Sequence, residues 1–270
     1  MKTVKHIFTE DEDNYIYKHY SDMTIKQIAS NLNLTEAQIR HRIQRHLNIK
    51  PSKLKKHFHD KTIFENDSSE KYYILGLISA DGNMWNGNRN RHKISISLHS
   101  DDRQLLVDIN NLICKTNIVY DRNNSKMSEL VIYDKDIYNI IKSYGINENK
   151  SLTLKFPKNI PDKYTKDYIR GYFDGDGSII TSKENKKSKY EKLTLQFLGT
   201  EDFLIEISKV IDNIFGFGIK RVTNTHTNIK CLRYYTKQAR EIAKWLYDTN
   251  SLKLKRKYQH FKKYLNNFND

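Results

Sequence analysis

The sequence predicts an α+β protein with two pseudo-symmetric repeats of helices and antiparallel strands, preceded by a small all-α domain. Three observations predict this fold class. An apolar motif that ends in Asp-Gly occurs twice, polar and apolar residues alternate after each copy, and three helix-start signals lie near the N-terminus. We expect a helical domain over 1–50, a linker over 51–69, a first repeat over 70–162 and a second repeat over 163–270.

The duplicated motif predicts two helices in close contact. Residues 74–82 read ILGLISADG, and residues 169–177 read IRGYFDGDG. The small residues four positions apart are Gly76 and Ala80 in the first copy and Gly171 and Gly175 in the second. Such positions share one face of a helix, and a face of Gly and Ala lets a second backbone approach closely. Because Gly inside a helix costs about 1 kcal/mol relative to Ala, direct packing of the two helices is the expected compensation.

Each copy of the motif also ends in a carboxylate. Gly82 and Gly177 are typical helix-terminating residues, which places Asp81 and Asp176 at the C-terminal ends of their helices. The helix dipole is already negative there, so an Asp is badly placed for stability. Two such carboxylates, carried to one place by touching helices, predict a site for divalent cations.

The paired stretches resemble the two motifs of the LAGLIDADG homing endonucleases in their single-chain form, over roughly residues 70–268. The resemblance implies the order αββαββα in each repeat, with a saddle-like antiparallel sheet. The first copy departs from the pattern at its sixth position, where Ser79 replaces an acidic residue that the second copy keeps as Asp174. The eighth position, which is the family's metal ligand, is acidic in both copies.

This resemblance implies a site-specific endonuclease that makes a metal-dependent double-strand break, with short 3′ overhangs, at a long asymmetric DNA target. The implied cofactor is Mg²⁺, or another divalent cation such as Mn²⁺, whereas Ca²⁺ is expected to bind without supporting cleavage. The implied metal ligands are Asp81 and Asp176, with the backbone carbonyls of Ala80 and Gly175. A transcriptional regulator and an RNA-splicing maturase can use the same scaffold and remain the alternatives.

Two lysines complete the expected catalytic set. Lys150 and Lys257 correspond, by resemblance, to lysines near the metal site, and Lys255 is the alternative to Lys257. A lysine beside a scissile phosphate stabilises the charge that develops in the transition state. A simple phosphate contact or a solvated position is the competing interpretation for each of them.

Strand and helix patterns fill both repeats. The first repeat is expected to hold a strand at 93–99, a helix at 101–114, strands at 117–122 and 128–133, and a helix at 135–144. The second is expected to hold strands at 178–183 and 191–198, a helix at 201–215, strands at 218–223 and 229–235, and helices at 237–247 and 254–266. The polar faces of the strands are expected to contact DNA through Lys93, Ser95, Ser97, His99, Lys192, Thr194 and Gln196. An ordinary half-solvated sheet would show the same alternation.

The N-terminal region resembles a helix-turn-helix domain. Thr9 with Glu12, Thr24 with Gln27 and Thr35 with Gln38 fit capping boxes for helices at about 9–20, 24–32 and 35–47. Residues 40–61 hold eight Lys or Arg and one Asp, whereas residues 8–22 hold five acids and one Lys. The expected DNA contacts of the third helix are Arg40, Arg42, Gln44 and Arg45. A three-helix bundle that binds protein is the alternative.

Composition narrows the class less than the motifs do. The net charge of +15 favours a polyanionic partner such as double-stranded DNA, although 35 of the 47 cations are Lys, as the codon usage of an AT-rich genome would also produce. Cys114 and Cys231 are expected to be buried thiols in a reducing compartment. No apolar run approaches ~18 residues and no signal peptide is recognisable, so we expect an intracellular, cytoplasmic monomer with no membrane partner.

Overall fold

The structure of the chain is a computed structural model. It describes residues 6–20, 23–47, 49, 59–87, 91–114, 116, 118–123, 125–183, 191–225 and 229–266. The chain forms two compact units, residues 1–60 with 114–116 and residues 61–113 with 117–270. Part of the expected linker, residues 51–58, lies outside the described residues. Within the described ranges, no helix is long and apolar enough to cross a membrane.

The first unit contains three helices, each of which begins at an expected capping box. They are α1 (Glu10–His19), α2 (Ile25–Asn31) and α3 (Glu36–Arg45). Thr24 Oγ1 accepts a hydrogen bond from the Gln27 N–H at 3.2 Å, and Gln27 Oε1 accepts one from the Thr24 N–H at 2.9 Å. The helices are shorter than expected at both ends. At the N-terminal end this is because each Thr is an N-cap with extended backbone and lies outside its helix.

A small apolar core holds these helices together. Ile16, Ile28, Ile39 and Ile43 are fully buried. Between α2 and α3 the chain turns at Asn33, whose φ of 53° lies in the left-handed region that Asn tolerates better than most residues. The region is therefore a packed helical unit, and its assignment as a DNA-binding helix-turn-helix stays a prediction.

The second unit contains two successive repeats of the order αββαββα, each built from three helices and four strands. The first comprises α5 (Ser69–Asp81), β1 (Gly82–Gly87), β2 (Arg91–His99), α6 (Arg103–Ile113), β3 (Val119–Asp121), β4 (Met127–Ile132) and α7 (Lys135–Ser143), and is preceded by the short α4 (Thr62–Glu65). The second comprises α8 (Asp162–Asp176), β5 (Gly177–Lys183), β6 (Glu191–Gly199), α9 (Glu201–Phe215), β7 (Thr223–Asn224), β8 (Lys230–Tyr235) and α10 (Thr236–Tyr247), and is followed by α11 (Lys255–Asn266).

The two sheets have the same antiparallel topology. Their strand orders are β1-β2-β4-β3 and β5-β6-β8-β7. The glycine that opens each first strand pairs with an apolar residue, Gly82 with Ile96 and Gly177 with Phe197. Every second residue of the central strands is buried, including Ile94 in the first sheet. The expected fold class, with two equivalent antiparallel sheets, is therefore confirmed.

Three elements differ from the sequence-based expectation. Strand β1, GNMWNG, was not predicted because Gly and Asn are poor strand formers, and α4 lies in the expected linker. Strand β7 is only two residues long instead of spanning 218–223. Gly218 has a φ of 73°, and the Lys220 N–H donates to Ser208 Oγ at 2.7 Å, so this backbone turns away from the sheet.

Helices α5 and α8 touch through their backbones. A Cβ added at Gly76 would lie 2.1 Å from the carbonyl oxygen of Tyr168, and one added at Gly171 would lie 2.0 Å from that of Tyr73. Real Cβ atoms do not approach backbone oxygens so closely. The two contacts are reciprocal, since each glycine of one motif faces the tyrosine that precedes the other motif. The expected close packing of the duplicated helices is therefore confirmed.

Side-chain hydrogen bonds at the sixth motif position reinforce this contact. The Tyr73 hydroxyl donates to Asp174 Oδ2 at 2.7 Å, and the Tyr168 hydroxyl lies 2.9 Å from Ser79 Oγ. Asp174 accepts a further hydrogen bond from the Tyr247 hydroxyl at 2.7 Å. Each sixth-position residue thus bonds to the tyrosine of the opposite helix, and a Ser suffices where no second tyrosine is present. The departure of Ser79 from the acidic pattern leaves the helix pair intact.

Gly171→Ala tests the backbone contact, because two effects predict opposite signs. Helix propensity alone would stabilise the variant by about 1 kcal/mol. Since the new methyl group would overlap the Tyr73 carbonyl, we expect instead a loss of at least about 1–3 kcal/mol, measured by chemical denaturation. Lys209→Ala on the exposed face of α9 is the control and should change stability little. A Gly171→Ala protein more stable than the parent would contradict the packing.

Candidate metal centre

The chain passes directly from each paired helix into a strand. Gly82 has φ −77° and ψ 146°, and Gly177 has φ −97° and ψ 164°. Both glycines end their helices as expected, and their backbones are extended rather than left-handed. The glycines are required by crowding, because a Cβ at Gly82 would lie 2.5 Å from the Ile78 carbonyl oxygen and one at Gly177 would lie 2.4 Å from that of Phe173. This sharp exit leaves the preceding aspartate of each helix beside the other.

A buried lysine caps the end of the first helix. Lys150 is 7% exposed and lies in the short 3-10 helix Lys150–Leu152 after α7. Its Nζ donates to the carbonyl oxygen of Gly82 and, at 3.4 Å, to that of Ala80. The positive charge therefore lies at the negative end of the dipole of α5.

An equivalent lysine caps the second helix. Lys257 of α11 is 8% exposed, and its Nζ donates to the carbonyl oxygens of Gly177 at 2.6 Å and Gly175 at 3.3 Å. The contacted carbonyls are the counterparts of Gly82 and Ala80 in the first repeat. Lys255 is exposed, so the choice between the two C-terminal lysines falls on Lys257.

The two terminal aspartates are half-buried and lie close together, since a Cβ added at Gly175, next to Asp176, would be 3.1 Å from Asp81 Oδ2. Burial raises the pKa of Asp81 to about 6, and the nearby Asp176 carboxylate adds to this increase. Burial also raises the pKa of Asp176 above its usual value. Burial lowers the pKa of Lys257 to about 8 and lowers that of Lys150 as well. A carboxylate whose pKa is raised by burial and by a neighbouring carboxylate is a group that gains from a nearby cation.

The charge interactions between the repeats are crossed. Lys257 of the second repeat lowers the pKa of Asp81 more than Lys150 does. Conversely, Lys150 of the first repeat lowers the pKa of Asp176 more than Lys257 does. The charged form of each aspartate is therefore favoured more by the lysine of the opposite repeat, while each lysine caps its own helix. The centre contains two equivalent halves that draw residues from both repeats.

The donor set fits a magnesium-like cation that also binds phosphate. In the described part of the chain, no group of three or more His, Cys, Asp or Glu side chains could hold a metal ion. Mg²⁺ commonly binds one or two carboxylates and completes its coordination with water and substrate phosphates, so Asp81 and Asp176 suffice. The expected further ligands, the carbonyls of Ala80 and Gly175, accept only the longest of the lysine hydrogen bonds, at 3.4 and 3.3 Å.

A cleft of about 650 Å³ opens at this centre. Asp81 and Lys257 line it, with Ser97 from β2 and Ser178 from β5. His99, which was expected to contact DNA, also lines the cleft. Arg256 and His260, which were not predicted for the site, line it as well.

Of these cleft residues, Arg256 and His260 could have been found by helix spacing. They lie four positions apart on α11 and flank Lys257, so they share one side of the helix. Arg256 donates to the buried Asp102 at 3.0 and 3.2 Å, which ties α11 to the first repeat.

The chain resembles known proteins more clearly in its fold than in its sequence. No protein-family model matches the sequence. A segment of 112 residues, 40% of this chain, is 25% identical to the DNA-directed RNA polymerase subunit Rpo1C of Methanocaldococcus jannaschii, but it spans only 12% of that subunit. Among solved structures, the LAGLIDADG meganuclease I-AabMI bound to uncleaved DNA has a TM-score of 0.51, with 13% identity, over 72% of this chain and 88% of that chain.

Two further meganuclease structures are similar to the same extent. I-SmaMI, bound to an uncleaved DNA target in the presence of calcium ions, has a TM-score of 0.52 and 12% identity over 74% of this chain and 90% of that chain. I-CpaMI, bound to uncleaved DNA, has a TM-score of 0.52 and 13% identity over 73% and 90%. The chain has the LAGLIDADG fold. The resemblance that the paired motifs indicated is confirmed at this level.

In this LAGLIDADG fold, the outer face of each sheet is the side opposite the helices. On the first sheet, Ser97 and His99 are accessible, but Ser95 is only 4% exposed and the expectation that it contacts DNA is wrong. Strand alternation predicts the face of a residue and not its depth. Lys93 Nζ lies 3.4 Å from Glu129 Oε1, so its charge is already partly compensated.

On the second sheet, the expected contacts are placed better. Lys192 is exposed, and Thr194 and Gln196 are half-buried on the outer face. Gln196 Oε1 accepts a hydrogen bond from Arg233 Nε at 2.9 Å, which adds an arginine to this face. The sequence analysis did not identify Arg233, although its position in the alternation of β8 could have indicated it.

On the first unit, α3 presents a smaller set of side chains than expected. Arg42 donates from Nε at 2.8 Å and from a terminal nitrogen at 2.5 Å to the Asp13 carboxylate, and it lies over the Phe8 ring. This bidentate pair joins α3 to α1, so the expectation that Arg42 contacts DNA is corrected to a structural role. Arg40 pairs with Glu36 at 3.2 Å, and Gln44 and Arg45 are exposed.

The pKa shifts predict an unusual pH dependence of stability. Because the pKa of Asp81 is raised to about 6, its protonation stabilises the folded chain as the pH falls from above 6 towards 4. Asp176 acts in the same direction, whereas Lys257, with a pKa of about 8, stays protonated in this window. We therefore expect the melting temperature of the protein in EDTA to rise as the pH is lowered from 7.5 to 5.

Asp81→Asn should remove much of this rise and stabilise the metal-free chain at pH 7.5 by up to about 3 kcal/mol, at ~1.4 kcal/mol per pKa unit. Mg²⁺ should raise the melting temperature of the parent more than that of the variant. Asp202→Asn, at an exposed position of α9, is the control. A parent stability that falls steadily from pH 7.5 to 5 would contradict the buried carboxylate pair.

Proposed function

We propose that the protein is a divalent-metal-dependent endonuclease that makes a double-strand break in DNA at a long asymmetric site. The pair of half-buried carboxylates at the ends of the touching helices supports this proposal most directly. Removing two like charges from water side by side destabilises the fold, and a stable scaffold has no need of them. Asp81 and Asp176 would have a chemical purpose as ligands of a divalent cation, which would supply Lewis-acid assistance to phosphodiester hydrolysis.

The roles of the chain's own residues follow from their positions. Asp81 and Asp176 hold the cations between the two repeats, with the Ala80 and Gly175 carbonyls as the nearest further oxygen donors. Bound Mg²⁺ would lower the pKa of a water molecule and stabilise the leaving oxygen of the phosphodiester. Lys257, protonated below pH about 8, provides positive charge beside the phosphate. Its hydrogen bonds to backbone carbonyls hold that charge in place before DNA binds.

The outer faces of the sheets are suited to the DNA duplex. Ser97 and Ser178 lie both on these faces and in the wall of the cleft, so the two faces flank the centre on opposite sides. A two-stranded β-ribbon fits the major groove, where base edges are distinguishable. The difference in sequence between the two faces supports an asymmetric target.

Cleavage of a target selected from a randomised plasmid library tests the proposal. Asp81→Asn and Asp176→Asn should each lose double-strand cleavage in Mg²⁺ while retaining DNA binding, because most duplex contacts lie on the outer faces. Asp202→Asn should cleave like the parent. Full double-strand cleavage by either motif variant would contradict the assignment, and binding without any cleavage by the parent would favour a transcriptional regulator.

Lysine variants refine this test within the same assay. Because the charge of each lysine acts more strongly on the pKa of the aspartate of the opposite repeat, Lys150→Met and Lys257→Met should slow the cleavage of opposite strands. Nicked plasmid should accumulate in both cases, and strand-specific labels should identify the intact strand. Loss of cleavage on the same strand in both variants would refute the crossed arrangement.

We further propose that the three-helix unit binds DNA beside the main target. The supporting observation is the exposed, basic surface of α3, where Gln44 and Arg45 lie clear of the Asp13–Arg42 pair. Arg and Gln side chains are typical of recognition helices, which contact base edges and phosphates. Protein binding remains the alternative.

Substitutions on α3 separate binding from stability. Arg45→Ala should weaken DNA binding and reduce the slope of log affinity against log salt by about 0.9, the value for one phosphate contact. Arg42→Ala should instead lower the melting temperature of the helical unit, since it breaks a bidentate charged pair that joins α3 to α1. Equal salt slopes for Arg45→Ala and the parent, with an unchanged footprint, would favour a protein partner.

A further inference from the structure

The outer faces of the two sheets expose large apolar side chains at equivalent positions. Trp85 is the fourth residue of β1 and Ile180 is the fourth residue of β5. They are 47% and 43% exposed. Most of their neighbours on these faces are polar, so the two exposed apolar groups need an explanation. Single exposed apolar residues are common, but the same position in two repeats is a pattern.

In the second sheet the exposed isoleucine belongs to a row across three strands. Ile180 pairs with Thr194 of β6, and Thr194 pairs with Tyr235 of β8, which is 55% exposed. We call these three residues the apolar row. Thr194, which carries a methyl group, thus stands between an aliphatic and an aromatic residue in the strand register. The three residues form an apolar strip on a sheet that otherwise carries hydrogen-bonding groups.

A polar row separates this strip from the cleft. Ser178, Gln196 and Arg233 pair across the same three strands, and Ser178 lines the cleft. Two residues of a strand span about 6.6 Å, so the apolar row lies that much farther from the centre than the polar row. A duplex that crosses the cleft along this face would contact the polar row first and the apolar row next.

The equivalent place in the first sheet is arranged differently. The Trp85 ring lies against Gly87, where an added Cβ would be 1.9 Å from the indole, and its strand partner Lys93 pairs with Glu129. The ring is thus packed against its own strand, beside a charged pair. Only the row in the second sheet offers an unbroken apolar strip among the described residues of the two faces.

An isoleucine side chain has no hydrogen-bonding atom and gains nothing from base-edge donors or acceptors. The one apolar group that a base pair presents in the major groove is the C5-methyl group of thymine. We propose that the apolar row selects thymine, through its C5-methyl group, in the half of the DNA target bound by the second repeat. This inference rests on the proposed DNA-binding function and adds to it the base preference of one half-site.

Selection of bound duplexes by the full-length protein, in EDTA to prevent cleavage, tests the inference. One randomised pool contains thymine, and a second contains uracil in its place, which pairs identically but lacks the C5-methyl group. The parent, Ile180→Ala and the matched control Ser182→Ala are compared. Ser182 lies on the same face of β5, two residues farther along, and is exposed.

We expect the parent to enrich thymine at one or more positions on one side of the target centre. At these positions Ile180→Ala should lose the preference, whereas Ser182→Ala should keep it. Uracil in place of thymine should weaken binding of the parent roughly fourfold for each buried methyl group and should leave Ile180→Ala almost unchanged.

Two negative outcomes are distinguishable. A clear target motif in which Ile180→Ala retains the full thymine preference, or in which uracil binds as well as thymine, would overturn the methyl-reading inference and leave the proposed function standing. Failure of the parent to enrich any motif would contradict the proposed function itself. Ile180 is exposed, so its truncation should not unfold the protein, and the comparison of the two pools with the parent needs no variant.

Discussion

The second unit depends on one contact, the approach of the α5 and α8 backbones at Gly76 and Gly171. Each glycine lies against a carbonyl group of the other helix, where no side chain fits. Because these helices run directly into the first strand of each sheet, their contact also fixes how the sheets flank the cleft. It brings Asp81 and Asp176 together at the far ends of the same helices. A small-residue face thus determines both the architecture and the position of the chemistry.

Each of these helices ends in a negatively charged aspartate, and a lysine bound at the same end reduces the energetic cost of placing it there. An aspartate at a helix C-terminus adds to the negative end of the dipole, and burial beside a second aspartate makes it worse. Lys150 and Lys257 offset this by hydrogen bonding the terminal carbonyls. The same lysines are therefore structural caps and candidates for phosphate contact. Burial lowers the pKa values of both lysines, and the charges of the nearby aspartates partly offset this effect.

Most of this fold could be predicted from the sequence, because the two Gly-x-x-x-small faces predict a close helix pair and the alternating segments predict half-buried strands. Its failures share one cause, namely that local patterns do not reveal distant partners. Helical spacing placed Arg42 on the basic helix but could not show that Asp13 binds it. Strand alternation placed Ser95 on the outer face but could not show its burial. The glycines after each aspartate end their helices as predicted, but the sequence could not show that they are needed for close contact with the preceding turn.

The two repeats are equivalent at the backbone and diverge on their outer faces. The two repeats differ at the sixth motif position, where the first has Ser79 and the second has Asp174. The helix pair tolerates this difference because each residue forms a hydrogen bond with a tyrosine of the opposite helix. On the sheets, the counterparts Trp85 and Ile180 have no such constraint, since they lie on the side away from the helices. A duplicated chain can therefore keep a symmetric centre while its outer faces change independently. The equivalent half of each repeat lies at the end of its paired helix, where the aspartate and the capping lysines meet, whereas the residues that differ lie on the outer faces of the sheets, away from the contact between the helices.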